Sequence, residues 1–203
     1  GATTTLPVAG GNVTLTETSA YPWDGKIKIA LDPKGTGSFT LSMRIPSWCK
    51  GANAKLNGAD IAVITERGYL KITRDWQAGD TVDLDLPMMP ERLYAHPDVR
   101  HDAGRVALRR GPLVYCCEQR DNAFPVNRLR LPAQSDLTSR VLPDLLGGIT
   151  VIEATATAED ADGWGNLLYA TSRAAMVNTA LTAVPYYIWC NRSPNPMQLW
   201  LQE

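Results

Sequence analysis

The chain has 203 residues, enough for one large β domain or two sandwiches of about a hundred residues each. Its 44% hydrophobic and 20% charged residues fit a globular protein with a substantial core. A formal net charge of −1 supplies no basic field for a phosphate backbone, and no apolar run approaches the roughly 18 residues of a membrane span, so neither nucleic acid nor a membrane is an expected partner.

In chain order, Asn12–Thr18 and Lys26–Leu31 alternate apolar with polar residues, and the turn residues Tyr21–Gly25 separate them. A period of two is the pattern of a half-buried strand. Asp32–Gly37 reads as a loop, and Phe39, Leu41, Met43 and Ile45 as the inward face of a strand ended by Pro46. Asn57-Gly58 is a strong signal for a two-residue hairpin turn. Leu70, Ile72, Arg74 and Trp76 share one face of a further strand, and Val82, Leu84 and Leu86 alternate in the next. The Gly79-Asp80 connection between those two reads as a hairpin loop. Asp83 and Asp85, which point away from the apolar face, read as solvated surface.

Pro87–Arg105 leads to the apolar runs Val106–Leu108 and Leu113–Cys117, broken at Gly111-Pro112. Gln119–Gly148 is rich in loops, with a short helical turn expected around Leu137–Leu142. Gly148–Thr157 reads as a strand and Asp160–Asn166 as a turn cluster, while Thr171–Val177 stays open between helix and loop. Thr179–Cys190, crossed by Pro185 at an edge or bulge, and Met197–Leu201 close the chain as strands. Short strands separated by turn residues at intervals of about 8–12 residues predict an all-β chain, with two antiparallel β-sandwich units in tandem. The composition shifts after about Pro97, so the units are expected to span 1–98 and 99–203.

Chemistry is sparse. The 21 acidic residues show no spacing that selects the carboxylate pair a glycosidase uses. His96 and His101, with Asp98 and Asp102 nearby, read as a hydrogen-bonded linker between the units rather than a catalytic pair. Cys49, Cys116, Cys117 and Cys190 lack the spacing of a zinc knuckle, and adjacent strand residues face opposite ways, so they read as small buried hydrophobes and no metal ligand is expected. A disulfide at Cys49 or Cys190 and a metal or nucleophilic role are the competing readings, and thiols of this kind lean towards a reducing, cytoplasmic compartment. Trp23 and Trp164, each in a loop, are the candidate carbohydrate contacts, with packing as the competing reading. Trp48, Trp76, Trp189 and Trp200 read as core.

Five segments taken in order, YPWDGKIKI, RIPSWC, GYLKITRDWQAGDTVDLDLPM, RVALRRGPLVYCCE and AVPYYIWCNRSPNPMQLWL, resemble the carboxy-terminal region of the β-L-arabinofuranosidase family, glycoside hydrolase family 127. The resemblance implies an (α/α)₆ helical barrel followed by β-sandwich domains, and on the barrel a cysteine nucleophile bound to zinc with further cysteines and a glutamate. This chain shows no helical periodicity, so it resembles the β-sandwich part alone. Cys116 and Cys117 stand in the sandwich motif, and no catalytic or zinc-binding residue transfers to this sequence. The expected role is accessory: packing on the upstream helical barrel and supporting the active-site rim or a homodimer. The chain itself would need no cofactor, and zinc would belong to the barrel of the parent. The competing roles are a free-standing carbohydrate-binding module for arabinose-containing glycans and a structural oligomerisation domain.

Overall fold

The computed structural model describes residues 1–203, and its regular structure is almost entirely strand, with only short 3₁₀ turns between. No helix is long and apolar enough to cross a membrane. The chain divides into two compact units, Gly1–Met88 and Met89–Glu203.

The first unit holds nine strands: β1 (Ala2–Val8), β2 (Gly11–Ser19), β3 (Lys26–Lys34), β4 (Phe39–Arg44), β5 (Asn53–Leu56), β6 (Ala59–Ile61), β7 (Thr65–Glu66), β8 (Tyr69–Arg74) and β9 (Thr81–Asp85). They form a six-stranded sheet in the order β1-β2-β3-β9-β5-β6 and a three-stranded sheet in the order β4-β8-β7. The alternation read from the sequence sends Val13, Leu31, Val82 and Leu84 of the larger sheet onto Leu41, Met43 and Leu70 of the smaller one. That shared core makes the unit a β-sandwich. Asn57 and Gly58 both take the left-handed conformation (φ 51° and 81°), the geometry of the β5–β6 hairpin turn. Gly25 answers a different need: a Cβ there would stand 1.9 Å from the Leu86 carbonyl oxygen, in a place where the Leu86 amide donates to the Gly25 carbonyl.

Two expectations fail in this unit. Asp32–Lys34 continues β3 instead of looping, because these residues pair with β2 through Val13↔Pro33 while β9 has already left the other side at Ala30. A proline costs nothing where its absent N–H would have faced no partner. Gly79-Asp80 does not make a hairpin either. β8 pairs with β4 and β7, and β9 pairs with β3 and β5, so the connection carries the chain from one sheet to the other. Asp80 holds that crossing: its carboxylate accepts from the Gln77 amide (2.8 Å) and the Asn57 side chain (2.7 Å). These two bonds, the backbone one first, keep its carboxyl below the usual range.

The second unit holds β10 (Pro90–Leu93), β11 (Arg105–Arg110), β12 (Leu113–Glu118), β13 (Leu129–Arg130), β14 (Leu137–Leu142), β15 (Ile149–Asp160), β16 (Ala175–Pro185), β17 (Met197–Gln198) and β18 (Leu201–Gln202). Its ladder returns on itself: β11 pairs with β18, then β13, β15, β16 and β12 follow, and β12 pairs with β11. The two layers of this unit are therefore continuous, and side chains fill the interior as in a small barrel. Val106, Leu108, Tyr115, Leu129, Ile152, Leu181 and Leu201 meet there. The opposite faces of β12, β15 and β16 carry Cys116, Val151 and Val184 into a second, smaller cluster. The division at Met88 precedes the expected position near residue 98 because Pro90–Leu93 is a strand of the second unit, registered on Ala107–Arg110. The expected helical turn at Leu137–Leu142 is β14, paired along its whole length with Ile149–Ala154. The strand expected over Thr179–Cys190 runs instead from Ala175 to Pro185, after which Tyr186–Ile188 turns as 3₁₀.

Candidate functional site

The residues with nucleophilic or metal-binding chemistry are placed where that chemistry is suppressed. Cys116 and Cys117 point into different apolar clusters, as strand alternation requires. Burial pushes the Cys116 thiol up to about 12, with the nearby Glu118 carboxylate adding to it, and raises the Cys117 thiol further. Both are thiols at neutral pH, so they fit neither a nucleophile nor a shared zinc ligand pair. Cys49 is half-buried with a raised pKa, Cys190 is exposed, and neither forms a disulfide. Cys190 thus departs from the buried setting expected for it. No group of three His, Cys, Asp or Glu side chains is gathered in a metal-binding arrangement.

His96 Nδ1 lies 3.5 Å from Asp98 Oδ2, and both side chains are in solvent. The two histidines belong to the second unit rather than to a link between units: His96 and Asp102 line an open cavity of about 320 Å³ beside Tyr94, whose hydroxyl donates to Glu203 (2.9 Å).

The one charged cluster in the interior is structural. Glu118 is fully buried, at the end of β12. Its carboxylate accepts from the Cys190 amide (3.0 Å) and from Arg192, whose guanidinium also reaches both oxygens of Asp121 (2.8 and 2.5 Å). The carboxylates raise the Arg192 pKa, Asp121 foremost, which keeps it charged. Arg120 binds Ser193 and Asn195 in the same stretch. Together they lace residues 190–195 onto residues 118–121, with Cys190 in the left-handed conformation (φ 67°).

The aromatic residues are the other candidates. Trp23 sits in the turn between β2 and β3 of the first unit and is 45% exposed. Trp164 sits in the second unit, in the connection from β15 to β16, half-buried; its amide donates to Ala161 and its carbonyl accepts from Leu167. Beside it lies an open cavity of about 520 Å³ whose wall includes Arg130, Glu159, Thr171, Ser172 and Arg173. Leu129 and Ala158 face the interior, so their neighbours Arg130 and Glu159 project outward, where they pair at 2.5 Å. In the same connection Leu167, Leu168 (84% exposed) and Tyr169 (89% exposed) are bare. Trp76 is core, with its indole N–H on the Phe39 carbonyl (3.0 Å), and Trp48 packs against that core. Trp200 is half-buried. Trp189, expected in the core, is exposed and stacks on Tyr186 with 5.9 Å between centroids, because the strand stops at Pro185. No sequence pattern marked this stacked pair.

The class defined by these features is an all-β chain of two consecutive units, one an open sandwich and one with a closed ladder. The family follows from direct comparison. Residues 2–88 match the middle domain of GH127 β-L-arabinofuranosidases, and residues 90–202 match the glycoside hydrolase family 127 C-terminal domain. The chain belongs to glycoside hydrolase family 127. It is 35% identical over 199 residues to a non-reducing end β-L-arabinofuranosidase of Bifidobacterium longum subsp. longum, covering 93% of this chain and 30% of that protein. The crystal structure of a GH127 β-L-arabinofuranosidase from Geobacillus stearothermophilus T6 superposes with a TM-score of 0.94 at 40% identity, covering 99% of this chain and 32% of the other. Another GH127 β-arabinofuranosidase gives 0.89 at 32% identity, covering 98% of this chain and 33% of the other. The chain thus spans about a third of the length of these relatives.

Proposed function

We propose that this chain is the accessory β portion of a β-L-arabinofuranosidase-like glycoside hydrolase, packing on a helical catalytic barrel in the longer polypeptide and supporting its active-site rim or a dimer contact. The observation that carries the reading is the match to the middle and C-terminal domains of the family over about a third of the relatives' length. A surface feature supports it: Leu167, Leu168 and Tyr169 form a consecutive bare apolar run, the kind of surface left when a partner is missing. The barrel is the occupant assigned to that run, because about two-thirds of the relatives' length lies outside the part matched here. In this reading zinc and the nucleophile belong to the barrel, and the adjacent thiols Cys116 and Cys117 are buried and protonated.

The test is an assay of the purified 203-residue chain on an aryl β-L-arabinofuranoside with added zinc, beside the same sequence joined to its barrel. Turnover is expected only from the longer protein. Zinc-dependent turnover by the short chain, abolished by thiol alkylation, would overturn the proposal. Leu168→Asp with Tyr169→Asp in the longer protein is expected to lower its thermal midpoint, and an unchanged midpoint would remove the assigned contact.

A further inference from the structure

We infer that the cavity beside Trp164 is a saccharide-binding site that takes a neutral sugar unit. Three features of the second unit converge on it. Trp164 offers a flat apolar ring on the cavity wall, held by hydrogen bonds on its own backbone at Ala161 and Leu167. Such a ring covers the C–H face of a sugar with little side-chain entropy to lose. Arg130 and Glu159, also on the wall, pair across β13 and β15, and their bond engages one guanidinium nitrogen and one carboxylate oxygen. The second oxygen of Glu159 and the remaining N–H groups of Arg130 stay available, an acceptor beside donors, which is the pairing two neighbouring hydroxyls require. Arg173, exposed, makes no hydrogen bond or ion pair within the chain, and Thr171 and Ser172, which precede it, line the same cavity.

The paired wall suits a neutral ligand: an anion reaching it would meet the Glu159 carboxylate and compete with it for Arg130, whereas a polyol uses both, and Arg173 adds one further donor with an unpaired positive charge. The cavity volume of about 520 Å³ is of the size small-molecule sites have. The geometry carries no reacting pair of carboxylates, so the site binds and does not cleave.

The experiment is saturation-transfer NMR on the 203-residue chain with three probes: an L-arabinofuranosyl disaccharide, a xylo-oligosaccharide and a cello-oligosaccharide. The arabinofuranosyl probe rests on the functional reading above, and the two pyranosyl probes keep the site testable without it. Saturable binding of at least one probe is expected, weakened about tenfold or more in Trp164→Ala and largely retained in Trp164→Phe. Arg173→Ala, at an exposed position without partners, is expected to weaken binding several-fold while leaving the circular dichroism spectrum unchanged. Binding of a pyranosyl probe alone would uphold the site and count against arabinofuranose as its sugar. No saturable signal with any probe, or binding indifferent to both Trp164→Ala and Arg173→Ala, would overturn the inference.

Discussion

In the first unit the six-stranded sheet stops at β1 and β6, each paired on one side only, and the two sheets are joined by side chains meeting face to face. In the second unit the ladder runs from β11 through β18, β13, β15, β16 and β12 back to β11, so main-chain hydrogen bonds join the layers as well. The same alternating strands serve both designs. The difference lies in where polar groups are spent. The first unit uses Asp80 to bind a crossing between sheets, accepting from the Gln77 amide three residues back and from Asn57 in the β5–β6 turn. The second buries Glu118 completely and relies on Arg192, more than seventy residues further along, to neutralise it. The crossing in the open sandwich is held chiefly by uncharged donors, whereas the closed unit depends on an opposite charge brought to a buried one.

The comparison breaks most readily at Arg192. Arg192→Met leaves Glu118 buried with the Cys190 amide as its remaining partner, and a loss of about 3–5 kcal/mol is expected in urea unfolding. A loss under about 1 kcal/mol would put the cluster on a level with surface pairs. Next in size are the core truncations Leu181→Ala and Leu84→Ala, each expected to cost about 2–5 kcal/mol. The closed ladder around Leu181 can collapse less onto a cavity, so Leu181→Ala should be the costlier of the two; equal costs would mean that closure adds no rigidity.

Asp80→Ala removes the acceptor of two bonds and is expected to cost about 1–3 kcal/mol. It also has a pH signature. The Asp80 carboxyl titrates lower in the folded chain than in the unfolded one, so its contribution is present above the unfolded value of about 4 and is lost as the pH falls through its depressed folded value. The wild-type chain should lose stability more steeply than Asp80→Ala over that acidic range, and parallel curves would refute the assignment. The smallest effect is expected at Arg140, whose guanidinium binds both oxygens of Glu153 on the surface (3.1 Å from Nε to each). Arg140→Ala should leave the unfolding midpoint nearly where it was.

Alternation made most strands legible, since one face of each packs on a core: β2, β3, β4, β8, β9 and β15 all lie over runs of period two. Asn57-Gly58 fixed its hairpin because positive φ at two positions is a local demand. Pairing partners were not legible. The Gly79-Asp80 connection has the residues of a hairpin, and only the partners waiting on β3–β5 and β4–β7 decide that it crosses. β14 was hidden because most of its side chains face solvent, leaving little periodicity to read. At the candidate site, Trp164 announced itself by its loop, while Arg130 and Glu159 carry no mark in sequence and reach it through pairing of β13 with β15. The buried glutamate and its arginine are likewise a long-range pair with ordinary residue types.

The closing strand β18 sets an order on biosynthesis. β11 and β13 both await Leu201–Gln202, so the ring cannot shut while the ribosome still holds those residues. The first unit needs nothing beyond residue 88 for its sheets and can fold as it emerges. The second must wait as an open sheet, its interior leucines and the unpaired flanks of β11 and β13 exposed, until Leu201–Gln202 emerge and supply the missing strand. That interval, rather than the finished fold, is when this chain is most vulnerable to sticking to its neighbours on the same message.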